Sequence, residues 1–222
     1  MSLHPSDNIP LKHLIRPGSG QNELSPALFM LHGYGSNEAD LFSFADELPD
    51  DLFIVSFRAP YDIQPFGHAW YAINFEGPQG KWNDIPQALD SRDLVLRCID
   101  EAIKAYRLDA ERINLLGFSQ GSILSYALAL TYPDRVNSLI ALSGYVDPEM
   151  LSENYASGNL KKLQIYASHG QVDPIIPSAW AQESVTLLQS KGIDVTYEEY
   201  PVGHGVSAQN LRSFKNWLNG KY

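Results

Sequence analysis

The sequence contains a single cysteine, Cys98, among its 222 residues. The chain therefore cannot form an internal disulfide, as is usual for proteins of a reducing compartment. Residues 1–10 do not combine a basic segment with a following apolar one, so no secretory signal is predicted. We therefore expect a cytoplasmic protein.

Basic residues are also scarce, with 16 Lys and Arg against 26 Asp and Glu and a formal net charge of −10. This balance disfavours binding to nucleic acids and to anionic membranes. No apolar run approaches the ~20 residues of a membrane span. We expect neither a nucleic-acid partner nor stable membrane insertion, and the sequence does not indicate an oligomeric state.

Signatures of bound cofactors are missing as well. The chain has no Gly-x-x-x-x-Gly-Lys-Ser/Thr motif for phosphates, and Gly33-Tyr34-Gly35 is only half of a Gly-x-Gly-x-x-Gly motif. His169 and Asp173 could supply two metal ligands, but no third ligand is spaced to join them. The sequence therefore predicts no metal and no cofactor.

Short apolar or β-favouring runs alternate with helical patterns along the whole chain. This alternation predicts an α/β fold, with a mostly parallel central sheet, helices on both faces and a single domain over residues 1–222. Strands are predicted at 11–16, 27–31, 52–57, 112–116, 136–142, 163–168 and 194–200. Helices are predicted at 38–48, 90–106, 122–132, 178–191 and 207–218.

The connection over residues 58–86 has no clear periodicity and is rich in proline, glycine and aromatic residues. Connections of this length in compact domains are usually functional. One interpretation is an aromatic wall of a substrate pocket, formed by Phe66, Trp70 and Tyr71, with Ile176 joining from a later loop. The other is a satellite cluster that only covers the core.

The motif Gly117-Phe118-Ser119-Gln120-Gly121 has the form Gly-x-Ser-x-Gly. A predicted strand precedes it and a predicted helix follows it. A serine in a tight strand-to-helix turn is typical of a nucleophile elbow, which exposes the hydroxyl above the edge of the sheet. The alternative is an ordinary connection in which Ser119 caps the helix. The elbow interpretation predicts Ser119 as a nucleophile.

A serine nucleophile needs a histidine base, and the base needs an acid that fixes its tautomer. In α/β-hydrolases the chain order is Ser, then Asp or Glu, then His. Only His204 follows the last predicted strand and leaves room for an acid before it. Asp173 follows the penultimate strand and is the favoured acid, while Asp147, one strand earlier, is the alternative.

The oxyanion hole of such an enzyme needs two N–H donors. One is expected from Gln120, the residue after the nucleophile. The other is expected from the loop after the first long strand, where we predict the backbone N–H of Tyr34.

These residues resemble the phospholipase/carboxylesterase family, which includes the acyl-protein thioesterases. The likeness spans nearly the whole chain. It is carried by residues 31–38, Arg58-Ala59-Pro60, residues 116–121, and residues 169–177 with Gly203-His204. The resemblance implies an α/β-hydrolase without a large lid domain and without a cofactor, with Ser119, Asp173 and His204 as triad and the N–H groups of Tyr34 and Gln120 as oxyanion hole.

Two positions depart from the pattern of many relatives. Ala72 follows Trp70-Tyr71 where an aspartate is common, and Tyr34 stands where leucine is common. Both changes fall where the substrate would bind. We therefore expect a serine hydrolase of carboxylic esters, with thioesters or lysophospholipids as further substrates. A dienelactone-type hydrolase, a peptidase and a non-catalytic binding protein on the same scaffold are the alternatives.

Overall fold

The computed structural model describes residues 5–19, 23–65, 67–74, 82–152, 155 and 160–220. Seven of the described strands form the main sheet. They are β1 (His13–Arg16), β2 (Ser25–Leu31), β3 (Phe53–Phe57), β4 (Leu108–Phe118), β5 (Ser138–Leu142), β6 (Gln164–Gly170) and β7 (Asp194–Tyr200). The α-helices are α1 (Ala39–Phe42), α2 (Ile85–Tyr106), α3 (Gln120–Thr131), α4 (Ser178–Ser190) and α5 (Ala208–Asn219).

The main sheet has the strand order β1-β3-β2-β4-β5-β6-β7. Only β1 is antiparallel to its neighbour, so the predicted mostly parallel sheet is confirmed. Leu31 of β2 pairs with Gly117 of β4, and Phe118 of β4 pairs with Leu142 of β5. These strands therefore end together at their carboxyl ends, the edge at which open α/β sheets bind ligands.

Helices cover both faces of the sheet, as predicted. Phe29 and Leu31 of β2 belong to a core cluster that also contains residues of α2, α3 and α4. Leu28 and Met30 belong to a second cluster with Phe214 of α5. Successive side chains of a strand point to opposite faces, so this unbroken apolar run is buried on both. Of the described helices, none is both long enough and apolar enough to cross a bilayer.

The prediction of one helix over residues 38–48 is wrong. That segment forms the four-residue helix α1 and a separate 3-10 turn at Ala45–Glu47. Ser43 follows α1, and its hydroxyl donates to the carbonyl oxygen of Asp40 at 2.6 Å. Such local side-chain bonds compete with continued helical hydrogen bonding.

Helix α2 begins at Ile85, five residues before the predicted start. Asp84 caps it by accepting a hydrogen bond from the N–H of Gln87 at 3.1 Å. Pro86 lies in the first turn, where a missing N–H costs no helical hydrogen bond. A proline that indicated a loop in the sequence is therefore part of the helix start.

The described residues of the connection before α2 form two short antiparallel ladders. Tyr61–Asp62 pairs with His68–Ala69, and Ile73–Asn74 pairs with Trp82–Asn83. Phe66, a predicted pocket residue, lies outside the described residues.

Candidate active site

Ser119 lies in the tight turn between β4 and α3, at the carboxyl edge of the sheet. Its backbone has φ 53° and ψ −118°, a conformation that residues with side chains rarely adopt. The Ser119 N–H donates to the carbonyl oxygen of Leu142 at 2.9 Å, which ties the turn to the end of β5. Ser119 is 8 % exposed. This is the geometry of a nucleophile elbow.

The two glycines of the motif allow the backbone segments around Ser119 to approach closely. A Cβ atom at Gly117 would lie 2.5 Å from the carbonyl oxygen of Gly121. A Cβ atom at Gly121 would lie 2.0 Å from the carbonyl oxygen of Leu31 in β2. The turn therefore has no room for a side chain at either position.

The structure brings Ser119, His204 and Asp173 together from three separate loops. The Nε2 atom of His204 lies 2.8 Å from the Ser119 hydroxyl oxygen. The Nδ1 atom of His204 lies 2.7 Å from Oδ2 of Asp173. With Nδ1 protonated toward the carboxylate, Nε2 can accept the proton of the serine. The imidazole side chain is 17 % exposed, so it remains accessible from the cavity side.

Asp173 is held as a carboxylate by a dense set of donors. Its side chain is fully buried. Its Oδ1 accepts hydrogen bonds from the N–H groups of Ile175 at 2.8 Å and Ile176 at 3.0 Å. Burial alone would raise the pKa of this carboxyl, but the hydrogen bonds from His204 and the backbone outweigh it and lower the pKa. The Asp173 carboxyl that hydrogen-bonds to the His204 ring is therefore ionised.

His169, a possible metal ligand from the sequence, and Asp147, the alternative acid, both bond to other groups, and Nε2 of His169 also lies 3.3 Å from Oδ2 of Asp173. His169 is buried, and its Nε2 atom lies 2.8 Å from the carbonyl oxygen of Ile176, in the loop that carries Asp173. Asp147 caps a 3-10 turn by accepting from the N–H of Glu149 at 3.1 Å and also accepts from the side chain of Asn83. Among the described residues, His204 bonds to Asp173 and Ser119 and not to Asp147.

Tyr34 and Gln120 both line the cavity in front of Ser119. The N–H groups of the two residues have no acceptor in the described parts of the chain. Gln120 opens α3, so its N–H also lies at the positive end of the helix dipole. The arrangement leaves two backbone donors free for a ligand beside the serine.

His32 holds the loop that carries Tyr34. Its Nε2 atom accepts a hydrogen bond from the N–H of Ala59 at 3.0 Å, so the proton of the neutral ring lies on Nδ1. Nδ1 donates to the carbonyl oxygen of Gly33 at 2.7 Å. Burial lowers the pKa of His32 and keeps the ring neutral. His32 precedes Ser119 in the chain, so the order Ser, Asp, His excludes it as the base, and the structure gives it this supporting position.

The side chain of Gln120 has a position that the sequence did not predict. Its Oε1 accepts from the N–H of Trp70 at 2.8 Å, and its Nε2 donates to the carbonyl oxygen of Tyr71 at 2.7 Å. The Trp70 indole N–H donates to the carbonyl oxygen of His32 at 2.8 Å. Trp70 is fully buried and does not belong to the cavity lining among the described residues, whereas Tyr71 does.

An ion pair with a buried carboxylate also supports the loop after β2. The guanidinium of Arg58 donates two hydrogen bonds to the carboxylate of Glu38, at 2.5 and 2.6 Å. The Glu38 side chain is 6 % exposed. Burial raises the pKa of Glu38, but the bonds from Arg58 outweigh it and lower the pKa. Both residues lie in stretches that carry the resemblance to the phospholipase/carboxylesterase family, but the sequence did not predict that they pair.

Replacing Glu38 by Gln is expected to lower the free energy of unfolding by about 1–3 kcal/mol at neutral pH, because charged hydrogen bonds are lost in a buried place. Since folding lowers the pKa of Glu38, its contribution is complete above about pH 4.3, the pKa of an unfolded glutamate, and is lost as the pH falls through the folded-state pKa. Urea denaturation of both proteins between pH 7 and pH 3 measures the difference.

Lys12→Gln serves as the matched control, because Lys12 lies 3.6 Å from the same carboxylate but is exposed. Exposed pairs contribute less than about 1 kcal/mol. Equal losses from Glu38→Gln and Lys12→Gln, or a Glu38→Gln loss that persists unchanged at pH 3, would contradict the assignment.

A cavity of about 310 Å³ opens in front of Ser119. Apolar side chains form much of its wall, and Ile176, a predicted pocket residue, is among them. The lining consists of Tyr34, Tyr71, Ile73, Asn83, Ser119, Gln120, Ile123, Tyr145, Ile175, Ile176 and His204. In the described ranges no cluster of His, Cys, Asp or Glu could hold a metal ion. Metal-independent action remains a prediction.

Known proteins resemble the chain along nearly its full length. Acyl-protein thioesterase 1 of Mycosarcoma maydis is 28 % identical, over 92 % of this chain and 94 % of that protein. The crystal structure of a Bacillus cereus carboxylesterase matches the fold with a TM-score of 0.83 at 23 % identity, over 97 % of this chain and 96 % of that one. A phospholipase/carboxylesterase of Dyadobacter fermentans DSM 18053 is 27 % identical with a TM-score of 0.74, over 94 % and 96 % of the two chains.

The family model described as phospholipase/carboxylesterase matches residues 18–221. The matched span contains the whole main sheet except β1, together with all the residues gathered around the cavity. The chain therefore belongs to the phospholipase/carboxylesterase family of α/β-hydrolases and is an esterase-type hydrolase.

Proposed function

We propose that this enzyme cleaves carboxylic esters and thioesters through an acyl-enzyme on Ser119. Ser119 attacks the carbonyl carbon while His204 takes its proton, and the carboxylate of Asp173 stabilises the imidazolium. His204 then protonates the leaving alcohol or thiol. Water, deprotonated by His204, attacks the acyl-enzyme and releases the acid. The observation that carries the proposal is the continuous chain of hydrogen bonds from Ser119 to Asp173.

We assign the oxyanion hole to the N–H groups of Tyr34 and Gln120. Support comes from their free donors and from their place in the lining beside Ser119. Each such donor typically contributes about 10²–10³ in rate. Thioesters are included because the Mycosarcoma maydis relative is an acyl-protein thioesterase. We also propose, from the sequence, that the chain acts as a single domain and that the protein is cytoplasmic.

The test is hydrolysis of p-nitrophenyl esters from acetate to palmitate in the presence of EDTA. The cavity of about 310 Å³ lies at the small end of ligand pockets, so we expect turnover to peak at a short or medium acyl chain. Turnover that disappears with EDTA, or no turnover of any ester or thioester, would contradict the proposal.

A cysteine nucleophile, as in many dienelactone-type hydrolases, is disfavoured by the position of Cys98. This residue lies in α2 and is fully buried. Burial raises the pKa of its thiol from 9.0 to about 11, so it is protonated and unreactive at neutral pH. We expect iodoacetamide to leave esterase activity unchanged and Cys98→Ala to retain it. Inactivation by iodoacetamide together with loss of activity in Cys98→Ala would overturn this expectation.

A further inference from the structure

The hydroxyl group of Tyr71 is buried without a hydrogen-bond partner in the described structure. Tyr71 is fully buried within the protein, yet it is among the residues that line the cavity in front of Ser119. Burying a hydroxyl without a partner is costly, and such groups in folded proteins usually have an explanation. A donor left unsatisfied at a reactive cavity is explained if the ligand supplies the acceptor.

Asn83 and Tyr145 also carry polar groups and line the same cavity. The amide nitrogen of Asn83 lies 2.9 Å from Oδ2 of Asp147 and 3.2 Å from the Tyr145 hydroxyl. A carboxylate only accepts hydrogen bonds, so the NH₂ group must face Asp147. Both amide protons are then used, and the Tyr145 hydroxyl accepts one of them while keeping its own proton.

The Tyr71 hydroxyl also remains a donor at any physiological pH. Burial, followed by the nearby Tyr145 and Asp147, raises its pKa well above the usual value. No acceptor of the described residues lies within hydrogen-bond distance of this hydroxyl. Two residues of the cavity lining, Tyr71 and Tyr145, thus each keep a phenolic O–H donor.

The remaining walls of the cavity are formed largely by isoleucines, namely Ile73, Ile123, Ile175 and Ile176. A purely alkyl substituent would fit these walls but would leave the phenolic donors unpaired. An alkyl substituent that also carries an oxygen atom could pack against the isoleucines and accept a hydrogen bond from a phenolic donor. Sites built to hydrogen-bond a substrate discriminate against analogues that lack the bonding group.

We propose that the preferred substrates carry an oxygen acceptor, such as an ether, hydroxyl or carbonyl oxygen, in the part that fills this cavity, and that the Tyr71 hydroxyl donates to it. This inference rests on the proposed function. It makes Tyr71 a specificity-determining residue, with Tyr145 as the second donor.

The test uses p-nitrophenyl hexanoate and its analogues in which one methylene, from the third to the fifth carbon, is replaced by an ether oxygen. A second arm uses acetates of hexanol and of the matching ether alcohols, followed by pH-stat. We measure kcat/KM of the wild type and Tyr71→Phe, each divided by the rate of hydroxide-catalysed hydrolysis. In at least one arm the wild type should prefer an ether analogue, and Tyr71→Phe should lose that preference by about tenfold.

Two controls separate recognition from a structural effect. Tyr61→Phe makes the same chemical change at a residue outside the cavity lining, and it should leave the ether preference unchanged. The melting temperature of ligand-free Tyr71→Phe should equal or exceed that of the wild type, because the removed hydroxyl has no partner among the described residues. A clearly lower melting temperature would show a structural role for the hydroxyl and overturn the inference.

The outcomes distinguish the inference from the function on which it rests. A wild type that turns over none of these esters refutes the proposed function and the inference together. A wild type that hydrolyses alkyl and ether esters equally in both arms, with Tyr71→Phe changing all rates alike, refutes the inference and leaves the esterase mechanism in place.

Discussion

Replacing Ser119 by Ala is expected to lower kcat for p-nitrophenyl esters by about 10⁴–10⁶-fold. The hydroxyl oxygen that lies 2.8 Å from His204 is the proposed nucleophile, and its removal leaves no group to form the acyl-enzyme. The residual rate would come from the oxyanion donors and from binding alone. KM should change little, because the side chain contributes little surface to the cavity.

Ser122→Ala is the matched control for this result. Ser122 is a buried serine one turn further along α3, and it does not line the cavity. It should keep wild-type kcat, which separates the loss of the nucleophile from general damage to the helix. Undiminished turnover by Ser119→Ala would remove Ser119 from the mechanism.

Replacing Asp173 by Asn is expected to lower kcat by about 10⁴-fold. The new amide has nearly the same shape, but its NH₂ group can donate to Nδ1 of His204. The ring would then carry its proton on Nε2, the atom that must accept the proton of Ser119. The backbone donors of Ile175 and Ile176 that now stabilise a carboxylate would also lose their charged acceptor.

Steady-state kinetics of Asp173→Asn and Asp147→Asn near pH 7 check this assignment. The comparison is informative because the sequence left both aspartates open as the acid. A larger loss of kcat in Asp147→Asn than in Asp173→Asn would show that the acid is wrongly assigned. Thermal unfolding of both variants shows whether either loss reflects misfolding.

The sequence was most informative where local patterns determine the structure. The unbroken apolar run of β2 marked a strand buried on both faces, and the alternation of strands and helices determined the sheet. Chain order pointed to His204 and favoured Asp173 over Asp147, because residues that follow parallel strands meet at one edge. Local patterns failed over residues 38–48 and at Pro86, where side-chain hydrogen bonds and capping decided where a helix ends or begins.

The sequence patterns could not predict contacts between residues that are distant along the chain. Gln120 bonds to the backbone of Trp70 and Tyr71, and Glu38 pairs with Arg58, yet no periodicity connects these positions. Hydrophobicity also could not separate Trp70, which is buried behind the cavity lining, from Tyr71, which belongs to it. Both residues are aromatic and adjacent, so only the packing of the folded chain decides which of them lines the cavity.

The acyl-enzyme on Ser119 is tested most directly by labelling the native enzyme with a fluorophosphonate in EDTA and locating the adduct by peptide mass spectrometry. The expected result is one adduct per chain, on Ser119, formed in step with the loss of esterase activity. An adduct on any other residue, or full inactivation without modification of Ser119, would contradict the mechanism.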